Sequence, residues 1–422
     1  MDFLKKIFLR REFFDSSLVS FSNFFVGGIN FIFHIAMQRM LGPEKYGIVY
    51  PLIILSMFIS LIPSTFQFVI TREASLILHG KEKQLVYGYI KSCFFYLSLS
   101  ALALIFIFFV SLPLLKRLMH ITTDMDFYYL IIMTTFPFFI NTFVSFVQAR
   151  EKFFFYSILQ IVPTLIKLLS GILIVYYTKD YIGVLASFII ANVFTIIILL
   201  LEFSRSNKKP IRKDIDYKFD VRKFFISFLK TFPAISGFII LSNIDSIIVR
   251  FSLPELSGIY SSVSVIGKAP FYIALSVSTV FLPILSKTDD LKRANRLAVL
   301  FLSIFLAGFV LVLFLFSPFI SAYILKGQYY GFENLLPYYS TIFIPYAYIT
   351  YFVNYYVIKN KRIYDISIFL AIIIQIILIV FFCKNLVDVA NVVGLTGIFV
   401  LVVLLFEARI SHFLASRKKW NN

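Results

Sequence analysis

Long apolar stretches, separated only by short polar segments, follow one another along almost the whole chain. Hydrophobic residues fill 60% of the 422 positions, whereas charged residues fill only 15%. A helix that crosses a bilayer needs about 20 mostly apolar residues, so a chain of this length has room for about a dozen such helices. This much apolar surface has to face lipid. The sequence therefore predicts an all-α membrane protein with no separate soluble domain.

Charged residues, glycine and proline divide the apolar sequence into twelve predicted spans. The first six lie near residues 16–38, 47–70, 87–115, 126–147, 154–177 and 181–203, and the second six lie near 224–249, 258–285, 297–323, 335–358, 363–383 and 391–413. The longest polar stretch lies between the two sets. We therefore predict an N-terminal six-helix lobe at 1–203, a basic linker at 204–223 and a C-terminal six-helix lobe at 224–422.

The distribution of basic residues predicts the orientation of the chain. Of the 40 Lys and Arg, about 29 fall on the side of the N-terminus, the linker and the C-terminus, and about 8 fall on the other side. Both termini are therefore predicted to be cytoplasmic. The same asymmetry accounts for most of the net charge of +18, which favours contact with anionic membrane lipids and argues against a nucleic-acid partner.

A short repeat relates the two halves of the sequence. Residues 39–48 read RMLGPEKYGI and residues 250–259 read RFSLPELSGI, so a shift of 211 positions aligns Arg, Pro, Glu, Gly and Ile. An even number of spans in each half gives both repeats the same orientation, with a pseudo-two-fold axis along the membrane normal. We therefore expect two parallel lobes that face each other across a cleft.

Prolines within the predicted spans have two interpretations. Each removes a helix hydrogen bond and favours a kink, which suits helices that move during transport. Membrane helices also tolerate proline without a functional reason. The residues concerned are Pro63, Pro137, Pro163, Pro233, Pro270, Pro283 and Pro345.

Few ionisable side chains fall deep within the spans, where a charge costs about 2.5–3.5 kcal/mol on insertion scales and usually faces a cavity or a partner. The deepest are His34, Lys167, Lys230, Asp245 and Lys268. These residues comprise three lysines and one aspartate, so the interior is expected to carry a net positive charge. Simpler roles stay open: His34 can serve helix packing, and Lys230 can extend to the interface. Asp245 and Arg250 can form a structural ion pair.

Three motifs and the basic midpoint loop carry a family resemblance. The motifs are Leu41–Ile48, Thr71–Ala74 and the stretch from Asn243–Asp245 to Gly258–Tyr260. Together they resemble the multidrug, oligosaccharidyl-lipid and polysaccharide flippase superfamily, and most closely its polysaccharide branch, the Wzx-type flippases of O-antigen and capsule repeat units. The resemblance covers the whole chain in length and in number of spans.

The resemblance implies two six-helix lobes in a V shape around a central cavity, which opens alternately to either side of the membrane. The implied cargo is an undecaprenyl-diphosphate-linked oligosaccharide, carried from the cytoplasmic to the outer face of the bacterial inner membrane. Its use would be O-antigen, capsule or exopolysaccharide assembly. The implied partners are this lipid-linked oligosaccharide, membrane lipids and the polysaccharide polymerase.

The resemblance also suggests which residues form the site, because the first two helices of each lobe line the cavity. Those helices carry His34, Gln38, Gln67, Arg72, Asn243, Asp245 and Lys268. Lysine binds a phosphate oxygen as a point charge, and arginine can bind two oxygens. The predicted substrate-binding residues are Lys268, Arg72, Lys167, Lys230, Gln67 and Asn243. Asp245 and His34 are predicted to couple transport to H⁺, Na⁺ or the membrane potential.

Tyrosines cluster in the tenth span and have two interpretations. Tyrosine rings can stack on sugars and offer a polar tip, but they also form interfacial belts and pack in helix bundles. The cluster comprises Tyr338, Tyr339, Tyr346, Tyr348, Tyr351, Tyr355 and Tyr356.

Other functions stay open at this point. A multidrug exporter of organic cations would need an acid deep on the first helix, where this chain has His34, and a lipid II-type flippase would be longer. The sequence has no HExxH motif and no complete glycine-rich phosphate loop. Cys93 and Cys383 lie in separate apolar segments and indicate no metal site. We therefore predict no enzyme, no catalytic residue, no metal and no cofactor.

Overall fold

The computed structural model describes residues 11–80, 85–206, 219–285, 291–329, 331–358 and 364–420. These residues form fourteen α-helices and contain no β-strand. The helices are α1 (Arg11–His79), α2 (Val86–Met119), α3 (Met125–Ala149), α4 (Phe153–Thr178), α5 (Ile182–Ser206), α6 (Val221–Leu241), α7 (Ile244–Ser252), α8 (Ser257–Gly267), α9 (Ala269–Leu285), α10 (Leu291–Phe319), α11 (Phe332–Ile342), α12 (Ile344–Ile358), α13 (Tyr364–Phe382) and α14 (Leu386–Trp420). The predicted all-α fold is confirmed.

Where the structure describes them, the twelve predicted spans are mostly helical. Eight of the described helices are long and apolar enough to cross a membrane, as judged by length and composition. One of them, α1, contains the first two predicted spans, which are separated by a break at Gly42 with φ 72° and ψ 177°. Only glycine adopts this backbone conformation readily, so Gly42 lets the chain turn from one span into the next.

Three predicted spans of the C-terminal half are each built from two helices. The interruptions lie between α6 and α7, between α8 and α9 at Lys268, and between α11 and α12 at Phe343. In the last two cases a proline, Pro270 or Pro345, is the second residue of the new helix. Proline has no N–H group to continue the preceding helix, which accounts for the break.

The other prolines do not end their helices. Helix continues through Pro63, Pro137, Pro163 and Pro233, and Pro283 lies within α9. Helix continuity does not decide between a kink and simple tolerance at these five positions, whereas the spans are interrupted beside Pro270 and Pro345.

The chain divides into two compact units. Unit 1 contains the chain up to Leu41 and Leu52–Ile235, and unit 2 contains Gly42–Pro51 and the chain from Ser236. The chain thus passes from unit 1 to unit 2 within α6, shortly after Pro233. Residues 207–218 of the predicted basic linker lie outside the described residues, and the predicted lobe boundaries stay a prediction.

Each unit has its own apolar core. In unit 1, Phe66 and Phe138 belong to a cluster that packs α1 against α2 and α3, and Ile140 and Leu199 belong to a second cluster between α3 and α5. In unit 2, a cluster packs α9, α10 and α12 together. Other helix faces expose large apolar side chains, as a lipid-facing surface requires; on α2 these include Phe95, Leu99, Leu102 and Phe106.

The two copies of the sequence repeat contact each other within unit 2. Ser257 Oγ donates a hydrogen bond to the carbonyl oxygen of Gly47 at 2.8 Å. A Cβ atom on Gly47 would lie 2.6 Å from the backbone nitrogen of Gly258, and one on Gly258 would overlap the carbonyl oxygen of Pro43. The repeated glycines are therefore required by the close approach of two backbones.

Replacing Gly258 with alanine should destabilise the protein, because the added Cβ atom cannot avoid the backbone of Pro43. We expect a loss of about 1–3 kcal/mol in the free energy of unfolding, the usual cost of overpacking, measured as a lower melting temperature in detergent. Gly308→Ala is the matched control, since nothing lies within 4 Å of a Cβ atom at that helical position. Equal melting temperatures for the two variants would contradict this account of Gly258.

Candidate functional site

A buried ion pair joins two of the interrupted spans of unit 2. Lys268 Nζ lies 3.0 Å from Asp245 Oδ1, and the two residues expose only 6% and 0% of their surfaces. The hydroxyls of Tyr260 and Tyr339 donate to Asp245 Oδ2 at 2.5 and 2.8 Å. The carboxylate therefore accepts three hydrogen bonds, and such bonds are what make burial of a charged pair tolerable.

The two charges of this pair lie at helix ends. Asp245 lies in the first turn of α7, where the helix dipole favours a negative charge. Lys268 lies between the last residue of α8 and the first residue of α9, where the two helix dipoles act in opposite directions. Interruptions of this kind often form ion or substrate sites in transporters.

The tyrosines of the tenth span pack inside unit 2. Tyr339, Tyr346 and Tyr351 have no exposed surface. Tyr339 donates to Asp245 as described, Tyr346 donates to the carbonyl oxygen of Val393 at 3.1 Å, and Tyr351 donates to Asn295 Oδ1 at 2.7 Å. These three rings therefore serve packing and internal hydrogen bonds, which was the simpler interpretation of the cluster.

The ion pair changes how the charged residues of this region are interpreted. Asp245 pairs with Lys268, so the alternative pairing of Asp245 with Arg250 is not found. The Arg250 guanidinium instead lies 3.5 Å from the carbonyl oxygen of Pro254. Lys268 adds no net positive charge at this position, because Asp245 balances it. The expectation of excess positive charge among the deep residues therefore does not hold in unit 2.

A second lysine faces the interior in unit 1, where it is half-buried and has neutral partners. Lys167, on α4, donates a hydrogen bond to Asn30 Oδ1 on α1. Its Nζ atom lies 4.8 Å from the ring centre of Phe33 and 4.6 Å from that of Phe188, within the range of cation–π attraction. His34 follows Asn30 by one helical turn on α1, directly after Phe33.

Lys167 borders a polar cavity within unit 1. The cavity has a volume of about 240 Å³, and side chains of α1, α3, α4 and α5 line it. The lining residues are Gln67, Ile140, Asn141, Val144, Tyr156, Leu159, Gln160, Pro163, Thr164, Lys167, Phe188, Ala191, Asn192 and Thr195. None of these lining residues is acidic, and Lys167 alone among them is charged.

The remaining predicted site residues lie in different environments. Gln67 reaches the cavity, where its Nε2 donates to Gln148 Oε1 at 3.0 Å. Arg72 on α1 and Lys230 on α6 are exposed. Asn243 immediately precedes α7 and donates through Nδ2 to the carbonyl oxygen of Ile239 at 3.0 Å, so it stabilises the interruption of the seventh span.

Sequence reasoning did not place three residues in these clusters, although it named two of them, Tyr260 and Tyr339, for other reasons. Asn30 lies four positions before His34 in an otherwise apolar stretch, and this helical spacing could have identified it. Tyr260 lies directly after the repeated Gly-Ile dipeptide, which marked its segment but not its contact with Asp245. Tyr339 lies 94 positions from Asp245, and no sequence signal connects the two. Among the described residues, no group of three or more His, Cys, Asp or Glu could hold a metal ion.

Known proteins are similar to this chain in sequence and in fold. Residues 15–289, well over half of the chain, match the family model described as polysaccharide biosynthesis protein. No curated protein matches the chain significantly. One solved structure with a similar fold is the inward-facing conformation of a multidrug resistance MATE family transporter of the MOP superfamily. Its TM-score is 0.67 at 13% identity, and the match covers 91% of this chain and 94% of the transporter chain.

Two further solved structures have the same fold. An outward-facing MATE family transporter has a TM-score of 0.63 at 12% identity and covers 96% of each chain. A eukaryotic MATE transporter, AtDTX14, has a TM-score of 0.59 at 14% identity and covers 95% of this chain and 96% of its own. At these identities the likeness shows the fold alone.

A double-mutant cycle should separate the ion pair from its two members. We expect Asp245→Asn and Lys268→Met each to lower the free energy of unfolding by about 3–5 kcal/mol, because each change leaves the partner buried without its counter-charge. The double variant should lose much less free energy of unfolding than the sum of the two single losses, as measured by unfolding in detergent. The exposed pair Lys116–Asp124, at 2.6 Å, is the control and should couple by less than about 1 kcal/mol. Simple additivity at Asp245 and Lys268 would show that the pair is not coupled.

Proposed function

The chain belongs to the polysaccharide biosynthesis protein family, and we propose that it is a flippase for an undecaprenyl-diphosphate-linked oligosaccharide. The observation that carries the proposal is the family match over residues 15–289. The multi-pass helical chain and the transporter fold of its structural neighbours agree with a membrane transporter or flippase. The finer assignment, to export of a repeat unit for O-antigen, capsule or exopolysaccharide, rests on the sequence resemblance described above.

The charges of unit 1 support an anionic cargo. Lys167 borders a cavity whose lining contains no acid, and a diphosphate carries the negative charge that such a cavity favours. Arg72 and Lys230 are exposed cations of the same unit, suited to a first contact with a phosphorylated lipid. We assign these three residues to diphosphate binding, with Gln67 as a neutral hydrogen-bonding group at the cavity.

The alternative within the superfamily is an exporter of organic cations, since the similar solved structures are multidrug transporters by title. Such a cargo requires acidic groups near it. The first span of this chain, residues 16–38, contains no Asp or Glu, and the cavity of unit 1 has no acidic lining residue. This charge pattern favours the flippase.

The proposed setting is the bacterial inner membrane with both termini in the cytoplasm, as the distribution of Lys and Arg predicts. The cargo is loaded on the cytoplasmic face and released on the outer face by alternating access. A polysaccharide polymerase on the outer side is the expected recipient. A lipid II-type cargo has the same diphosphate carrier and differs in its glycan.

We assign ion coupling to Asp245. A proton or Na⁺ that binds the carboxylate competes with Lys268, whose ammonium lies 3.0 Å from it. Loss of this pair removes the interaction that joins α7 to the junction of α8 and α9. Ion binding at Asp245 therefore has a direct route to the relative positions of helices in unit 2. His34 is the corresponding candidate in unit 1.

Translocation in proteoliposomes tests the proposed cargo. The purified protein should move a fluorescent isoprenoid-diphosphate oligosaccharide between leaflets, so that a membrane-impermeant quencher reaches label that is protected in protein-free vesicles. Labelled phosphatidylethanolamine in the same vesicles is the control for general leakage and should stay protected. Transport of ethidium, an organic cation, without movement of the oligosaccharide would favour the exporter instead.

Asp245→Asn should uncouple translocation from ion gradients, because an amide cannot exchange a proton or balance Na⁺ as a carboxylate does. The expected result is a translocation rate that no longer increases when a proton or sodium gradient is imposed. Asp124→Asn, at an exposed position, is the control and should keep the gradient response. An Asp245→Asn protein whose rate still follows the gradient would remove Asp245 from the coupling mechanism.

A further inference from the structure

The cavity of unit 1 contains a positive charge that its lining does not balance. Lys167 forms no ion pair with a carboxylate among the residues that the structure describes; its partners there are the Asn30 amide oxygen and two aromatic rings. A charge that is partly removed from water without a counter-charge is unfavourable. The cavity should therefore attract an anion.

The neutral polar groups around Lys167 are suitable donors for such an anion. Gln160 donates one hydrogen bond through its amide to Tyr156 Oη at 2.7 Å. Asn192 donates one through its amide to the carbonyl oxygen of Met133 at 3.3 Å. An amide NH₂ group has two hydrogens, so each of these side chains has a second one to donate. Asn141 contributes a further amide to the lining.

We propose that this cavity binds one phosphate-type oxyanion, with Lys167 as its cation and the amides of Asn141, Gln160 and Asn192 as hydrogen-bond donors. An ammonium group has three N–H donors. Asn30 accepts one of them, which leaves two for the oxyanion. Hydrogen bonds between charged groups of this kind are shorter and stronger than neutral ones.

The size of the cavity limits what it can hold. Pockets for drug-sized ligands measure about 300–1,000 Å³, whereas this cavity measures about 240 Å³. It has room for a single anionic group and not for a whole oligosaccharide. The inferred ligand is therefore one phosphate group, free or at the end of a larger molecule.

Other ligand classes fit the lining less well. A cation would meet the like charge of Lys167 and no acidic lining residue. A neutral sugar ring could bond to the amides, but it would leave the ammonium without a counter-charge. An oxyanion uses both the amides and the ammonium.

Two sources can supply such a phosphate group. It can belong to the diphosphate of the lipid-linked cargo, in which case the inference rests on the proposed function and assigns the cargo's phosphate to this cavity. It can also be inorganic phosphate, in which case the cavity is a separate site. The chemistry at Lys167 is the same in both cases.

Thermal unfolding of the purified protein in detergent tests the inference. Sodium phosphate should raise the melting temperature saturably relative to sodium gluconate of equal ionic strength, because a ligand of the folded state stabilises it. Lys167→Gln should abolish the rise or weaken the apparent phosphate affinity at least about tenfold. Lys167→Arg keeps the charge and should keep the rise. Lys91→Gln, at an exposed position of the same unit, should behave as the wild type.

A parallel titration with undecaprenyl phosphate in mixed micelles identifies the source. A Lys167-dependent rise with inorganic phosphate supports a separate phosphate site, and one with undecaprenyl phosphate alone supports a site for the cargo.

If Lys167→Gln does not fold, Asn141→Ala replaces it and should weaken the response of whichever probe binds. A rise with neither probe, or equal rises in the cavity variant and Lys91→Gln, would overturn the inference. Neither titration requires transport, so failure of the flippase assay would leave this result unaffected.

Discussion

A charge inside a membrane span is costly unless a partner balances it, and the pair Asp245–Lys268 shows how unit 2 meets this requirement. The spans that carry the two residues are interrupted beside them, and Asp245 lies in the first turn of α7, where the helix dipole favours its charge. Tyr260 and Tyr339 supply the remaining hydrogen bonds to the carboxylate. Pro270 lies two residues after Lys268 in the first turn of α9, so the interruption of the span and the charge lie close together.

The twelve spans and their helical class could be predicted because apolar segment length is a local property that the bilayer constrains strongly. The effect of each proline on its helix could not be predicted from the sequence. Pro270 and Pro345 begin new helices, whereas helix continues through Pro63 and Pro137. The difference depends on whether neighbouring helices accommodate the freed carbonyl group, and neighbours are a property of the tertiary structure. The repeat could be detected from identical residues at matched positions, but the contact between Gly47 and Gly258 could not be predicted from them.

The repeat also shows where alignment of the two halves loses its predictive value. A shift of 211 residues also places His34 on Asp245. The environments differ: Asp245 pairs with Lys268 of the following span, whereas the ring of His34 packs against that of Phe33 on the same helix. The partners of buried polar groups come from helices distant in sequence, so their identity could not be read from periodicity. Counting charges gave three lysines and one acid without indicating which lysine the acid neutralises.

The pairing of Asp245 with Lys268 shows which of the deep lysines has no acidic partner among the described residues, a distinction that the sequence did not give. Lys268 is balanced by Asp245, and Lys230 is exposed on α6. Lys167 is then the deep lysine whose charge meets only neutral partners among the described residues. The charged groups of the two units therefore suit different tasks. A balanced pair that an ion can separate suits a coupling element, and an ammonium group beside a polar cavity suits an anionic ligand.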